Sequence, residues 1–128
     1  MPKVSLHSSG WPQFPYYGYM IVRQIASHAV FESGKHGKSN LVCGEFVFAG
    51  LNTFEPGQSQ PVHIHVGQDK LYYVLEGRGV VQLDAEESEV SAGDLVLAAS
   101  GVPHGIRNPS PDRLIVMVVF APPPPAKV

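Results

Sequence analysis

Short apolar runs, separated by clusters of Gly, Pro, Asn and Asp, form the pattern of hydrophobic and polar positions along this 128-residue chain. Apolar residues at helical spacing, with capping signals, extend over no more than about one turn. Runs rich in Val, Ile, Leu, Phe and Tyr indicate strands instead. The predicted strands are 19–25, 41–51, 62–65, 70–75, 79–83, 88–90, 94–98, 104–107 and 114–120. This spacing predicts an all-β fold, an antiparallel sandwich or barrel of the jelly-roll type.

Two of these runs, LYYVL and LIVMVVF, are apolar at every position instead of alternating. We expect both of their faces to be covered, one of them by the barrel interior. The other face needs a second subunit or the chain's own N-terminal arm, which carries Trp11, Phe14, Tyr16, Tyr17 and Tyr19. A homodimer is the favoured prediction, and the monomer covered by its own arm stays open.

The same pattern predicts that the chain consists of three parts, namely an N-terminal arm, a barrel and a C-terminal tail. Residues 1–40 are expected to form an N-terminal arm with the first strand or strands, packed on the barrel or on a partner subunit. Residues 41–120 are expected to form the barrel itself. Residues 121–128, APPPPAKV, are expected to be an extended proline-rich tail, because successive prolines fix the backbone and remove donors.

Composition and charge narrow the classes of partner. The net charge is −2, and the nine Lys and Arg are scattered rather than gathered into a stripe that could follow a phosphate backbone, so nucleic acid is not expected as a partner. The lone Cys43 leaves no internal disulfide and no thiolate metal cluster. The longest apolar run, residues 114–121, is too short to span a membrane, and the N-terminus lacks a signal-peptide pattern. We therefore expect a cytoplasmic protein without a membrane partner.

Residues 57–79, GQSQPVHIHVGQDKLYYVLEGRG, carry the first candidate chemistry. His63 and His65 are two positions apart on a predicted strand, so their side chains leave the same face, where two imidazoles can bind one ion. A pair of surface histidines has the same spacing, so the pair alone does not decide between the two interpretations.

The wider context resembles the two sequence motifs of the cupin family. The first motif is Gly, five residues, His-x-His, three or four residues, Glu, six residues, Gly. The second is Gly, five residues, Pro, one residue, Gly, two residues, His, three residues, Asn, and GDLVLAASGVPHGIRN is similar to it. The matching residues are Gly57, His63, His65, Gly77, Gly93, Gly101, His104 and Asn108. The resemblance extends from about residue 41 to residue 120.

The resemblance implies a six- to eight-stranded antiparallel double-stranded β-helix, with His63, His65 and His104 turned inward around a divalent transition-metal ion. Neutral imidazoles suit Fe, Mn, Ni, Cu or Zn, and three of them leave positions open for water or substrate. The implied function is metal-dependent chemistry on a small, anionic or oxygenated molecule, as in dioxygenases, isomerases, lyases or decarboxylases. The alternative is a non-catalytic module that binds or senses a small molecule and has no obligatory metal.

The chain departs from the family where the metal-binding glutamate is usual, since Lys70 stands there. A protonated lysine has no lone pair to donate and repels a cation. Three outcomes stay open. Gln68, preferred over Asp69 because it shares the parity of Lys70, supplies an oxygen as fourth ligand. Alternatively, three histidines and water complete the shell, or no metal binds and Lys70 and the histidines hold an anionic molecule directly.

Lys70, Tyr72 and Glu45 are the catalytic candidates. Tyr72 shares the face of Lys70, so it either lines the cavity as a hydrogen-bond donor or acid, or is a core tyrosine. Glu45 lies in the apolar run LVCGEFVFAG and is either an inward general base or a solvated glutamate on the outer face.

Overall fold

The computed structural model describes residues 19–125, and these form one short 3-10 helix and nine strands. The helix is Ile25–His28, and the strands are β1 Gly37–Cys43, β2 Phe48–Phe54, β3 Ser59–His63, β4 Asp69–Glu76, β5 Arg78–Leu83, β6 Glu86–Ser91, β7 Leu95–Ala98, β8 His104–Arg107 and β9 Leu114–Ala121. Helical structure in this part of the chain nowhere reaches the length and apolarity that a membrane crossing requires.

The strands form two sheets, and every strand pairing is antiparallel. The five-stranded sheet has the order β1-β2-β9-β4-β7, and the four-stranded sheet has the order β3-β8-β5-β6. Strands that follow each other in the chain therefore often lie in opposite sheets, as in a jelly roll. The predicted all-β, antiparallel jelly-roll barrel is confirmed.

The core lies between the two sheets because alternate residues of each strand point inward. In β4, Lys70, Tyr72 and Val74 are buried, while Leu71 and Tyr73 are partly exposed on the other face. The packed cluster consists of Phe54, Tyr72, Val74, Val81, Val90, Val96, Ala98, Ile106, Leu114, Val116 and Val118. The apolar runs of β4 and β9 are neighbours at the centre of the five-stranded sheet, where β-branched residues pack well.

The predicted strand over residues 19–25 is wrong. The chain there has no strand, and the helix Ile25–His28 begins after Gln24, whose φ of 51° is left-handed. The Ser27 hydroxyl donates to the Gln24 carbonyl at 2.6 Å, which favours a local turn over strand pairing.

The predicted single strand over residues 41–51 is also wrong, because the chain reverses within it. The Gly44 N–H donates to the Val47 carbonyl at 2.7 Å, and this turn joins β1 to β2 as a hairpin. Two of the four turn residues, the exposed Phe46 and Val47, are apolar, and they hid the turn from the hydrophobic pattern.

The segment before the barrel packs on it from residue 30 onward. The Thr53 hydroxyl donates to the Val30 carbonyl, and the Gln58 side-chain amide donates to the Glu32 carbonyl at 2.7 Å. The first strand begins at Gly37, four positions before the barrel boundary expected from the sequence. Trp11, Phe14, Tyr16 and Tyr17, and residues 126–128, lie outside the described residues, so the covering role of the arm stays a prediction.

Asn108 closes one end of the barrel. Its backbone carbonyl accepts the Gly57 N–H at 2.8 Å, which joins the first residue of one motif to the last of the other. Its buried side-chain amide donates to the carbonyls of Phe54 and Asp112 at 3.2 and 2.7 Å. Its side-chain oxygen accepts from the N–H and the hydroxyl of Ser110. This asparagine therefore fixes the turn between β8 and β9.

We expect Asn108→Ala to lower the free energy of unfolding by about 2–3 kcal/mol, because several buried polar groups lose their partner. Asn108→Asp keeps the acceptor and the volume but loses both donors, so it should destabilise as well. Urea unfolding of both variants and the wild type measures this. A loss below about 0.5 kcal/mol for the alanine variant would contradict the assigned role.

Candidate metal centre

The β3–β8 pairing brings His63 and His104 together. His63, the last residue of β3, lies directly opposite His104, the first residue of β8, and their ring centroids are 4.3 Å apart. His65 follows two residues later in the loop to β4, with its ring centroid 4.6 Å from that of His63 and 5.5 Å from that of His104. The structure therefore gathers the three imidazoles that the sequence singled out into one cluster.

A β-bulge sets the direction of His63. Gln60 pairs with Ile106 and His63 with His104, so two residues of β3 stand opposite the single residue Gly105. This extra residue reverses the strand's alternation, and Gln60 and His63, three positions apart, both line one cavity. A Cβ on Gly105 would lie 2.9 Å from the Gln60 carbonyl oxygen and 2.9 Å from the Val62 nitrogen. Sequence reasoning missed this glycine, although glycine inside a strand is a signal of close backbone approach.

Backbone carbonyls orient two of the rings in the same way. Nδ1 of His63 donates to the Pro61 carbonyl at 2.9 Å, and Nδ1 of His104 donates to the Val102 carbonyl at 2.9 Å. A carbonyl only accepts, so in each neutral ring the lone pair is on Nε2. In the described part of the chain, the buried Nε2 of His104 has no hydrogen-bond partner. Hydrogen bonds of this kind commonly hold metal-ligating histidines.

The loop that carries His65 is held by the loop before β8. The Gly101 N–H donates to the His65 carbonyl at 2.8 Å, and the Gly67 N–H donates to the Ser100 hydroxyl at 2.7 Å. The Asp69 carboxylate accepts the Ser100 N–H at 2.9 Å. Asp69 therefore positions the loop, a role that depends on a contact across 31 residues and left no signal in the sequence.

Burial favours the neutral form of the three histidines. Removal from water lowers the pKa of His63, His65 and His104, and the positive charge of Lys70 acts in the same direction. For His104 the pKa falls to about 4. Neutral imidazoles keep the lone pair that a metal ion needs.

The cluster fits a transition-metal ion. The candidate ligand atoms of the three histidines lie within 4.8 Å of one another. Two nitrogens bound to one ion at about 2 Å each are separated by at most about 4 Å, so the rings would close by a shift on the order of 1 Å. Three nitrogen donors without a carboxylate suit the later first-row divalent ions. These three histidines could hold a metal ion.

A cavity of about 660 Å³ opens beside the cluster, and Lys70, His63 and His65 line it. Lys70 is 1% exposed, and its Nζ donates to Oε1 of Gln60 at 3.2 Å. Nζ also lies 4.6 Å from the ring centroid of Tyr72 and 5.0 Å from that of Phe120. Burial lowers the pKa of Lys70 to about 7, and the charge of Lys38 contributes to this. The position of the usual glutamate is thus occupied by an inward-facing amine.

The other sequence-predicted candidates have different surroundings. Gln68 lines the cavity, and its amide nitrogen donates to the Pro122 carbonyl at 2.9 Å. Tyr72 is fully buried with its ring 6.1 Å from that of His104, and burial raises the pKa of its hydroxyl. In the described residues, that hydroxyl has no hydrogen-bond partner. Glu45 is exposed in the β1–β2 turn, so its interpretation as an inward strand residue is wrong.

Comparison with protein families gives a match to the cupin domain over residues 50–120, more than half of the chain. The chain belongs to the cupin family. This cupin is 32% identical over 82 residues to the oxalate-binding protein of Thermotoga maritima, covering 64% of this chain and 62% of that protein. It is 40% identical over 52 residues to an uncharacterised protein of Methanocaldococcus jannaschii, covering 41% of this chain and 42% of that one. The chain thus spans about half the length of these relatives.

A solved structure supports the same fold. The crystal structure of TT1209 from Thermus thermophilus matches with a TM-score of 0.78 and 37% sequence identity, over 82% of this chain and all of that one. The likeness extends over both sheets of this cupin, because it covers far more than the two motifs.

We expect Gly105→Ala to lower the free energy of unfolding by about 1–3 kcal/mol, because the new methyl group meets backbone atoms of the bulge that cannot move independently. Gly34→Ala is the matched control, since a Cβ there meets nothing within 4 Å. Its effect should stay within about 0.5 kcal/mol. Urea unfolding of both variants measures the difference, and equal stabilities would show that the bulge does not require glycine.

Proposed function

We propose that this cupin binds a divalent transition-metal ion through His63, His65 and His104 and acts on a small anionic or oxygenated molecule in the adjoining cavity. The observation that carries the proposal is the convergence of three neutral imidazoles, two half-buried and one buried, with Nε2 of the buried His104 unpartnered among the described residues. Such an ion, chosen from Fe, Mn, Ni, Cu and Zn, would polarise an oxygen atom of the bound molecule as a Lewis acid.

The residues around the cluster supply the rest of the site. Gln68 is proposed as a fourth ligand, because its hydrogen bond to Pro122 uses the amide nitrogen and leaves the amide oxygen for coordination. Without it, three histidines leave further positions for water or substrate. Lys70 attracts an anion to the cavity, and Tyr72 remains a candidate hydrogen-bond donor. The reaction class, whether dioxygenation, isomerisation, elimination or decarboxylation, follows from the substrate, and oxalate is a rational first ligand because one relative is named for binding it.

The second candidate function is a non-catalytic module that binds a small molecule without an obligatory metal. Lys70 favours it, because this residue replaces the carboxylate that would neutralise an ion and brings a positive charge to the same wall. In this version the imidazoles and the amine hold the anion directly.

Metal content separates the two functions. Untagged wild-type protein, supplied with the five ions during purification, should retain about one ion per chain. His63→Ala and His104→Ala should both lose it, whereas the control His28→Ala, which changes an exposed histidine, should keep it. Elemental analysis by mass spectrometry gives the stoichiometry. Metal-free wild type favours the binding module, and metal that persists in both cluster variants contradicts the assigned ligands.

A homodimer, predicted from the sequence, remains part of the proposal, as does a cytoplasmic location. The outer face of the β7-β4-β9 layer supports the dimer, because Leu95 and Leu97 are 64% and 58% exposed and pair with Tyr73 and Leu71. An apolar face of this kind is typical of a subunit interface.

We expect Leu97→Glu to convert a dimer to a monomer, because it places an unpaired charge on the apolar face. Phe46→Glu, at an exposed residue of the β1–β2 turn, is the matched control and should leave the dimer intact. Sedimentation velocity at micromolar concentration measures the mass. A monomeric wild type excludes the homodimer, and a dimeric Leu97→Glu excludes this face.

A further inference from the structure

Lys70 is an ionisable side chain built into the wall of the cavity. It is 1% exposed, and its ammonium group carries three donors. Among the described residues, Nζ donates one hydrogen bond, to Oε1 of Gln60. The rings of Tyr72 and Phe120 flank Nζ and fix its direction, as cation–π contacts do. The remaining donors are therefore available to a ligand.

The charges around this amine favour an anion. Lys38 also lines the cavity, and within residues 19–125 its lining includes no Asp or Glu. The ammonium form of Lys70 has no carboxylate partner in that lining, so a bound anion would stabilise this form over the neutral amine. A carboxylate would accept hydrogen bonds from Nζ at the place where Gln60 now accepts one.

The cavity wall beside Lys70 is apolar, because Phe120 pairs with Lys70 and Phe48 pairs with Phe120 across the same sheet. Phe48, Val118 and Phe120 line it, and the ring centroids of the two phenylalanines are 6.0 Å apart. Phe120 is also a shared neighbour, since its ring lies 5.0 Å from Nζ of Lys70 and 6.2 Å from the ring of His65. A molecule whose anionic end lies on Lys70 thus has an apolar surface along its body and the imidazole cluster within reach.

We propose that the ligand of this cavity is an organic carboxylate with an apolar body, bound by Lys70 through its carboxylate and packed by its body against Phe48 and Phe120. If this carboxylate is a substrate, the inference rests on the proposed function, because the metal centre then lies beside the body of the molecule. The binding itself depends on Lys70 and not on an ion. Dependence on Lys70 distinguishes this ligand from a carboxylate that coordinates the metal.

Benzoate, benzamide and acetate serve as probes, titrated by calorimetry into the full chain in chelator-treated and metal-loaded forms. Benzoate should bind both forms, and benzamide and acetate should each bind at least about tenfold more weakly, because one lacks the charge and the other lacks the ring. Lys70→Met should reduce benzoate affinity at least about tenfold in both forms. Lys35→Met, which removes an exposed lysine outside the cavity, should leave it unchanged.

Gln60→Glu is a second variant that tests the inference if Lys70→Met does not fold. It gives Lys70 an internal carboxylate and should weaken benzoate binding while the lysine remains. Benzoate bound only by metal-loaded protein, and retained in Lys70→Met, would overturn the inference and leave the proposed metal site intact. Benzoate bound by protein that never holds metal would support the inference and contradict the proposed metal function. Absence of benzoate binding in both forms, or equal affinity for benzamide, overturns the inference.

Discussion

The antiparallel pairing of β3 with β8 is the constraint on which the candidate site depends. It places His63 opposite His104, and the bulge opposite Gly105 turns His63 to the same interior as Gln60. Hydrogen bonds from Nδ1 of these two rings to backbone carbonyls then fix which nitrogen of each carries the proton. The positions of His63 and His104 thus follow from sheet register and backbone geometry. His65 lies in a loop, and its position depends on the hydrogen bonds of that loop to Gly101 and Ser100.

The replacement of a carboxylate by Lys70 changes the electrostatics of this interior. A glutamate would oppose the charge of an ion, whereas the protonated amine adds to it. Burial lowers the pKa of the neighbouring histidines, and the amine contributes in the same direction. Tyr72 and Phe120 surround the amine with aromatic faces, and Gln60 offers it a neutral oxygen. The cavity therefore carries an amine next to an apolar surface on the same sheet, a combination that selects for ligands with two chemically different ends.

Much of the fold was predictable from the sequence because most strands are bounded by turn residues and carry β-branched side chains. Strand β8, His104–Arg107, was predicted with its observed limits. The β1–β2 turn was missed because its apolar residues continue the hydrophobic run. Within the candidate site, the spacing of the two motifs was enough to identify the three histidines. The bulge at Gly105 and the Asp69–Ser100 contact depend on register and on long-range packing, which the order of residues along one strand does not reveal.

The strand order also has a consequence for biosynthesis. β9 lies between β2 and β4 in the five-stranded sheet, yet it follows them by several dozen residues in the chain. While the ribosome has not yet released Leu114–Ala121, the inner edges of β2 and β4 have no partner, and the Phe54 side chain lacks its neighbour Leu114. The barrel therefore cannot close until β9 has been synthesised, which lengthens the exposure of these strand edges to aggregation and to chaperones.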